Sequence, residues 1–180
     1  MATQIVNHIK SIDVNISDAT PAMQQYLEIK QEHQDKILLY RMGDFYETFF
    51  EDAIRMSKEL EITLTARDCG SVIGKIPLAG IPAKAVDVYL EKLVQKGIKV
   101  AICEQLEDPK QAKGIVKRGI TRIVTAGTIT ESNLLDQNKN NYICAMFKDE
   151  KSDNYGFAYT DISTGEFKGT QAPYNLILSE

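Results

Sequence analysis

Apolar residues recur at helical spacing in three stretches of the 180-residue chain, with short apolar runs and alternations between them. From Pro21 to about Gln34, Met23, Tyr26 and Leu27 fall at i, i+3 and i+4, which predicts a helix with one narrow docking stripe. Ser17-Asp18-Ala19-Thr20 followed by Pro21 supplies its start, a capping residue and a proline at the first helical position. From Thr48 to about Leu60, Phe49, Ala53, Met56 and Leu60 line one face, and Phe50 with Ile54 widens it. The third helix, Ala83 to Gln95, carries Val86, Leu90, Leu93 and Val94 on one side and ends at Gly97. Strands are predicted at Ile37–Tyr40, stopped by Gly43-Asp44, at the alternating Ile62–Thr65, at Lys99–Leu106 and at Ile120–Thr125. Lys75 to Pro82 is apolar but holds two prolines and a glycine, so a packed connector is expected there instead of a central strand. Tyr142–Phe147, Tyr155–Ile162 and Glu166–Thr170 predict a strand meander joined by turns such as Ser163-Thr164-Gly165.

The fold class that follows is α/β, of the α+β type: a mixed β-sheet flanked by helices, then the beginning of a second α/β domain. The organisation expected is a tail over 1–18, a first domain over 19–128, a polar linker over 129–141 and the truncated start of a second domain over 142–180. With 43% hydrophobic and 26% charged residues the chain has an ordinary globular composition. Its net charge of −4 argues against a protein that coats nucleic acid or anionic membranes by charge alone. Cys69, Cys103 and Cys144 are odd in number and widely spaced, which supports neither a disulfide scaffold nor a zinc site. No signal sequence and no membrane-spanning run is recognisable, so the cytosol is the expected compartment and no membrane is expected as a partner.

Several chemistries fail on residue supply. His8 and His33 are the only histidines, one near the N-terminus and one near the end of a polar helix, so neither a nucleophile–histidine pair nor a histidine metal site is expected. Gly70, Gly74 and Lys75 echo a phosphate loop, but the spacing is one residue short and Ile76 stands where a magnesium-binding hydroxyl is needed. Asp44 and Glu47 lack a further acid or base in a definable pocket, which leaves hydrolysis unsupported. The charge is nevertheless uneven. Lys110, Lys113, Lys117, Arg118 and Arg122 fall in a segment without a single acid.

The stretch Tyr40-Arg41-Met42-Gly43-Asp44-Phe45-Tyr46-Glu47 ends a strand in a glycine turn and then presents two aromatics and an acid. If Phe45 to Glu47 is extended, Phe45 and Glu47 point one way and Tyr46 the other, placing a ring and a carboxylate in one exposed site. The alternative is that Phe45, Phe49 and Phe50 form one core cluster and Glu47 is an acid favoured by the N-terminus of the following helix.

The run RMGDFYETFFEDA resembles the signature of the mismatch-recognition domain of the MutS family of DNA mismatch-repair proteins. The resemblance continues through TPAMQQYLEIK, EITLTARDCG, IPLAGIPAKAVDVYLEKLVQKG, KVAICEQLEDP and TRIVTAGT, and extends weakly into YTDISTGEF, which is similar to the start of that family's connector domain. The resemblance implies that Phe45 stacks on a mispaired or unpaired base from the minor groove and that Glu47 hydrogen-bonds to that base. An apolar wedge costs a few kcal/mol of unstacking and meets least resistance where pairing is already broken. A carboxylate this close to phosphates must accept a base N–H or be protonated in the complex. By match to the family blocks, Arg67 and Arg122 are expected to contact the DNA backbone, with Lys84 and the Lys110–Arg118 segment as further candidates. Leu78 and Ala83-Lys84 depart from the Met and Tyr-His pair frequent in relatives, which bears on backbone contacts around that loop.

For the parent protein the resemblance implies a homodimeric clamp, a C-terminal ATPase using ATP and Mg²⁺, and downstream mismatch-repair factors as partners. The ATPase lies outside this sequence, so no enzyme activity and no cofactor are expected of the 180 residues themselves. The competing functional class is an α/β module for protein interaction or small-ligand binding that touches no DNA.

Overall fold

The computed structural model describes residues 10–126, 140 and 142–177. It divides into two compact units, 1–126 and 127–180. The expected linker over 129–141 lies, apart from Asn140, outside the described residues.

In the first unit, helix α1 (Pro21–Glu32) starts at the proline as its sequence predicts. It is followed by β1 (Ile37–Met42), β2 (Phe45–Phe49), α2 (Phe50–Leu60), β3 (Thr65–Asp68), β4 (Lys75–Pro82), α3 (Val86–Gln95), β5 (Val100–Gln105) and β6 (Arg118–Val124). The six strands form one mixed sheet in the order β3-β4-β2-β1-β5-β6. Only the β1–β5 pair is parallel; every other neighbouring pair is antiparallel. Residues 10–18, set apart by sequence as a tail, form two 3-10 turns, and Ser11 donates through its backbone N–H to Glu51 of α2 at 2.8 Å.

The strand register explains four departures from the expected boundaries. Lys75–Pro82 is a strand despite its prolines, because its two halves serve different neighbours. Pro77 faces only Ala66 of β3, Pro82 faces only Phe45 of β2, and Leu78 alone is paired on both sides. Neither proline therefore has to serve a neighbour on both sides. With β4 in place, Thr48 and Phe49 pair with Ala79 and Leu78, so the strand continues and α2 begins at Phe50, not at Thr48. The same strand recruits Thr65–Asp68 as its other partner, which moves β3 three residues beyond the expected Ile62–Thr65 start. Likewise β6 begins at Arg118, opposite Gln105, two residues ahead of Ile120.

Both faces of the central strands are buried, as the runs in β1 and β5 require. Leu38, Tyr40, Ala101 and Cys103 join Met23, Tyr26 and Leu27 of α1 and Phe49 and Phe50 in one cluster. Ile37, Leu39, Val100 and Ile102 alternate with them and are equally buried. Tyr26 meets Tyr40 and Phe49 edge-on, with centroids 5.5 and 4.8 Å apart. Among the described residues, one ion pair is sealed inside. Lys30 Nζ lies 2.8 Å from Asp52 Oδ2 and also donates to the Lys36 carbonyl at 2.7 Å, while Asp52 accepts the Leu38 N–H at 3.0 Å. These bonds lock the end of α1, the start of β1 and the first turn of α2 to one another.

The second unit is an antiparallel meander of β7 (Tyr142–Lys148), β8 (Asn154–Asp161) and β9 (Phe167–Pro173), followed by a single turn, α4 (Tyr174–Ile177). Its three strands match the expected ones to within a few residues.

Candidate nucleic-acid interface

The β1–β2 hairpin turns on two residues, Gly43 and Asp44, with Met42 paired to Phe45, Arg41 to Tyr46 and Tyr40 to Glu47. Gly43 has φ +58° and Asp44 is not among the positive-φ residues, the pattern of a glycine-first hairpin turn. Because β2 is extended, its side chains alternate: Phe45 is 48% exposed and Tyr46 4%, and Glu47 is half-buried on the Phe45 side. Phe45 is thus separate from the aromatic core that holds Phe49 and Phe50. Beside it lies an open groove of about 440 Å³ lined by Arg41, Asp44, Phe45, Pro82, Ala83 and Lys84.

The hairpin is held from several directions. Its tip is tied to the end of β4, where the Ala83 N–H donates to the Asp44 carbonyl at 2.8 Å. Arg118 donates from Nε to the Arg41 carbonyl at 2.7 Å and from Nη1 to the Val116 carbonyl at 2.9 Å, with its guanidinium 4.9 Å above the Tyr40 ring. The Tyr40 hydroxyl donates to Gln25 of α1 at 2.5 Å. On the other side of β2, the Tyr46 hydroxyl donates to the Glu104 carboxylate of β5, and the Arg41 guanidinium sits 5.3 Å from the Tyr46 ring. Burial pushes both phenols up to about 12, and Glu104 adds to the shift at Tyr46, so both remain donors at neutral pH.

Glu47 is engaged by one of the arginines expected to hold phosphate. Arg67 of β3 donates from Nη1 to Glu47 Oε2 at 2.8 Å, and its guanidinium lies 5.8 Å from the Phe49 ring. Gly80 lies opposite Glu47 in β4, where a Cβ would stand 3.6 Å from Glu47 Cγ, an ordinary van der Waals contact. Arg118 is likewise spent on carbonyls, and Arg122 is half-buried in the edge strand β6 opposite Ile102. Lys84, Lys110, Lys113 and Lys117 are exposed, and their ammonium groups pair with no described acid. The structure thus sorts the basic residues: two arginines support the hairpin and its acid, and four lysines face water. Gln25, Arg41, Gly80 and Glu104 are the contributors that sequence reasoning passed over. Arg41 alone carried a signal, its place inside the glycine-turn motif.

The model of one protein family, described as MutS domain I, matches residues 20–133. The chain belongs to the MutS domain I family. Among curated relatives, the DNA mismatch repair protein MutS of Syntrophomonas wolfei is 61% identical over 152 residues, which cover 84% of this chain and 17% of the relative. The corresponding protein of Alkaliphilus oremlandii is 55% identical over 152 residues, 84% of this chain and 17% of that protein. That of Acetivibrio thermocellus is 52% identical over 159 residues, 88% of this chain and 18% of that protein. The chain therefore spans about one sixth of the length of these MutS relatives.

Within this MutS domain I, the loop that resembles a phosphate cradle does not fit a nucleotide. The Cys69 N–H donates to the Gly74 carbonyl and the Gly74 N–H to the Gly70 carbonyl, both at 2.8 Å, so these amides are consumed inside the loop. Lys75 then opens a strand, not the helix whose N-terminus would receive phosphate. Among the described residues no group of three or more potential metal ligands occurs, and no helix is long and apolar enough to cross a membrane.

Proposed function

We propose that this domain recognises mispaired or unpaired bases in duplex DNA, with Phe45 as the wedge entering from the minor groove and Glu47 as the group that contacts the displaced base. The observation that carries the reading is the exposure of Phe45 at the tip of a braced hairpin, on the same side of β2 as Glu47 and opposite the buried Tyr46. A core phenylalanine would not stand half in water beside an open groove. The ring has no hydrogen-bonding group and stacks on any base, so selectivity comes from how readily a step unstacks, not from base sequence. Lys84, Lys110, Lys113 and Lys117, with Arg122 on the edge strand, are proposed to supply the phosphate contacts that position the domain.

For the whole protein we propose what the MutS relationship implies: a cytosolic, nucleoid-associated homodimer that initiates repair, using ATP and Mg²⁺ at a site outside these residues and engaging downstream repair factors. The test is fluorescence anisotropy of the intact protein with G·T, one-base-loop and matched duplexes over a salt series. The two defective duplexes should bind more tightly than the matched one. Phe45→Ala should erase that preference, and Glu47→Ala should lower it more than it lowers total affinity. Equal binding of all three duplexes by the wild-type protein would refute the reading.

A further inference from the structure

A carboxylate presented to a duplex is repelled by every phosphate near it. Glu47 already carries the remedy. Its Oε2 is held at 2.8 Å by Arg67, which is 37% exposed against 22% for Glu47, so the pair lies partly shielded at the surface. The single bond leaves Oε1 unbonded to any described residue, free to accept a base N–H. Arg67 is steadied in turn by the Phe49 ring, 5.8 Å away, and Phe45, Glu47 and Phe49 alternate onto one side of β2.

We infer that Arg67 is a positioning residue for Glu47 and not a phosphate contact: it neutralises the carboxylate and aims its free oxygen at the base. This inference rests on the proposed role of Phe45 and Glu47.

The two roles for Arg67 differ in what its removal does. Deleting a phosphate-binding group weakens all duplexes together and shrinks the slope of log K against log salt by about 0.9. Deleting a positioning group lowers the ratio of mismatched to matched affinity and leaves the slope alone. The experiment measures that ratio and slope for the intact protein and for Phe45→Ala, Glu47→Ala, Arg67→Ala, Arg67→Lys and the Glu47→Ala/Arg67→Ala double variant, after melting curves establish folding. Arg67→Ala should reduce the ratio roughly ten-fold, the scale of one charge-assisted hydrogen bond. The double variant should match Glu47→Ala, because nothing remains to position. Arg67→Lys, which keeps the cation without the planar fork, should retain part of the ratio. If Arg67→Ala and Arg67→Lys both keep the wild-type ratio while affinity for every duplex falls, the inference is overturned and Arg67 holds phosphate. If Phe45→Ala leaves the ratio intact, the wedge reading itself fails, a result that Arg67 variants alone would not produce.

Discussion

The buried Lys30–Asp52 pair makes the sharpest test of how this domain is held together. Lys30 is 2% exposed and the Asp52 side chain 7%, so both charges sit out of water. Lys30→Met keeps most of the aliphatic stem and deletes the cation, leaving a buried carboxylate with only the Leu38 N–H at 3.0 Å. Breaking such a pair from one side costs about 3–5 kcal/mol at neutral pH. The pH dependence separates charge from packing. Burial raises the Asp52 carboxyl from 3.8 to about 6, against the lowering pull of Lys30. A folded value above the unfolded one means that the native state holds the proton more tightly. The associated stability is fully present below the unfolded value of 3.8 and is lost as pH rises through about 6. A shift of that size corresponds to about 3 kcal/mol. Removing Lys30 raises the carboxyl further, so the variant keeps losing stability above pH 6, whereas below pH 4 the carboxyl is neutral in both proteins. The deficit of Lys30→Met should therefore be small near pH 4 and reach its full size by pH 8. Urea unfolding followed at 222 nm measures it, because α1, α2 and α3 dominate that signal and all lie in the first unit. A deficit of equal size at pH 4.5 and pH 7.5 would refute the electrostatic account and leave a packing defect in its place.

Three further outcomes probe the hairpin. Arg118→Met should cost about 1–2 kcal/mol by removing the donors to the Arg41 and Val116 carbonyls, and should lower mismatch preference in the anisotropy assay without changing the salt slope. Gly43→Ala should destabilise by about 1–2 kcal/mol in thermal melts, since φ is +58° and nothing stands within 4 Å, so the cost is backbone strain alone; Gly43→Asn should recover part of it. Tyr46→Phe leaves the ring 5.3 Å from Arg41 but removes the bond to Glu104, and should cost about 1–3 kcal/mol in urea unfolding because it orphans a partner of a largely buried hydroxyl.

The helices and the central strands were legible because their signals are local. Met23, Tyr26 and Leu27 mark α1, Gly97 takes φ +72° where it ends α3, and the unbroken runs of β1 and β5 are buried on both faces. The boundaries around β4 were not legible, and one cause lies behind all of them. Whether Pro77 and Pro82 are tolerated depends on which neighbour faces each position, a property of the assembled sheet and not of the segment. Taking that strand for a connector removed the partner that keeps Thr48 and Phe49 extended and the partner that draws in Thr65–Asp68. The placement of Phe45 and Glu47 on one side of β2, opposite the buried Tyr46, was legible because period-two alternation holds from sequence to structure. The Arg67–Glu47 ion pair was not legible, since only the assembled sheet, with β4 between β3 and β2, brings the two side chains together.

Under the proposed function, the bracing of the hairpin determines which partner must deform. The tip is bonded to β4 through Ala83, the Arg41 carbonyl to β6 through Arg118, and Tyr46 to β5 through Glu104. A wedge carried on a yielding loop would bend away from a well-stacked step, and sound and faulty sites would then bind alike. A wedge anchored to strands on both sides leaves the unstacking cost with the DNA, where it varies with the quality of the pair. The net charge of −4 serves the same end. On that proposal the exposed lysines would give a local phosphate grip, while the acidic balance of this chain would keep its sequence-independent affinity low. A difference of a few kcal/mol between sound and broken pairing then remains a large share of the total binding energy.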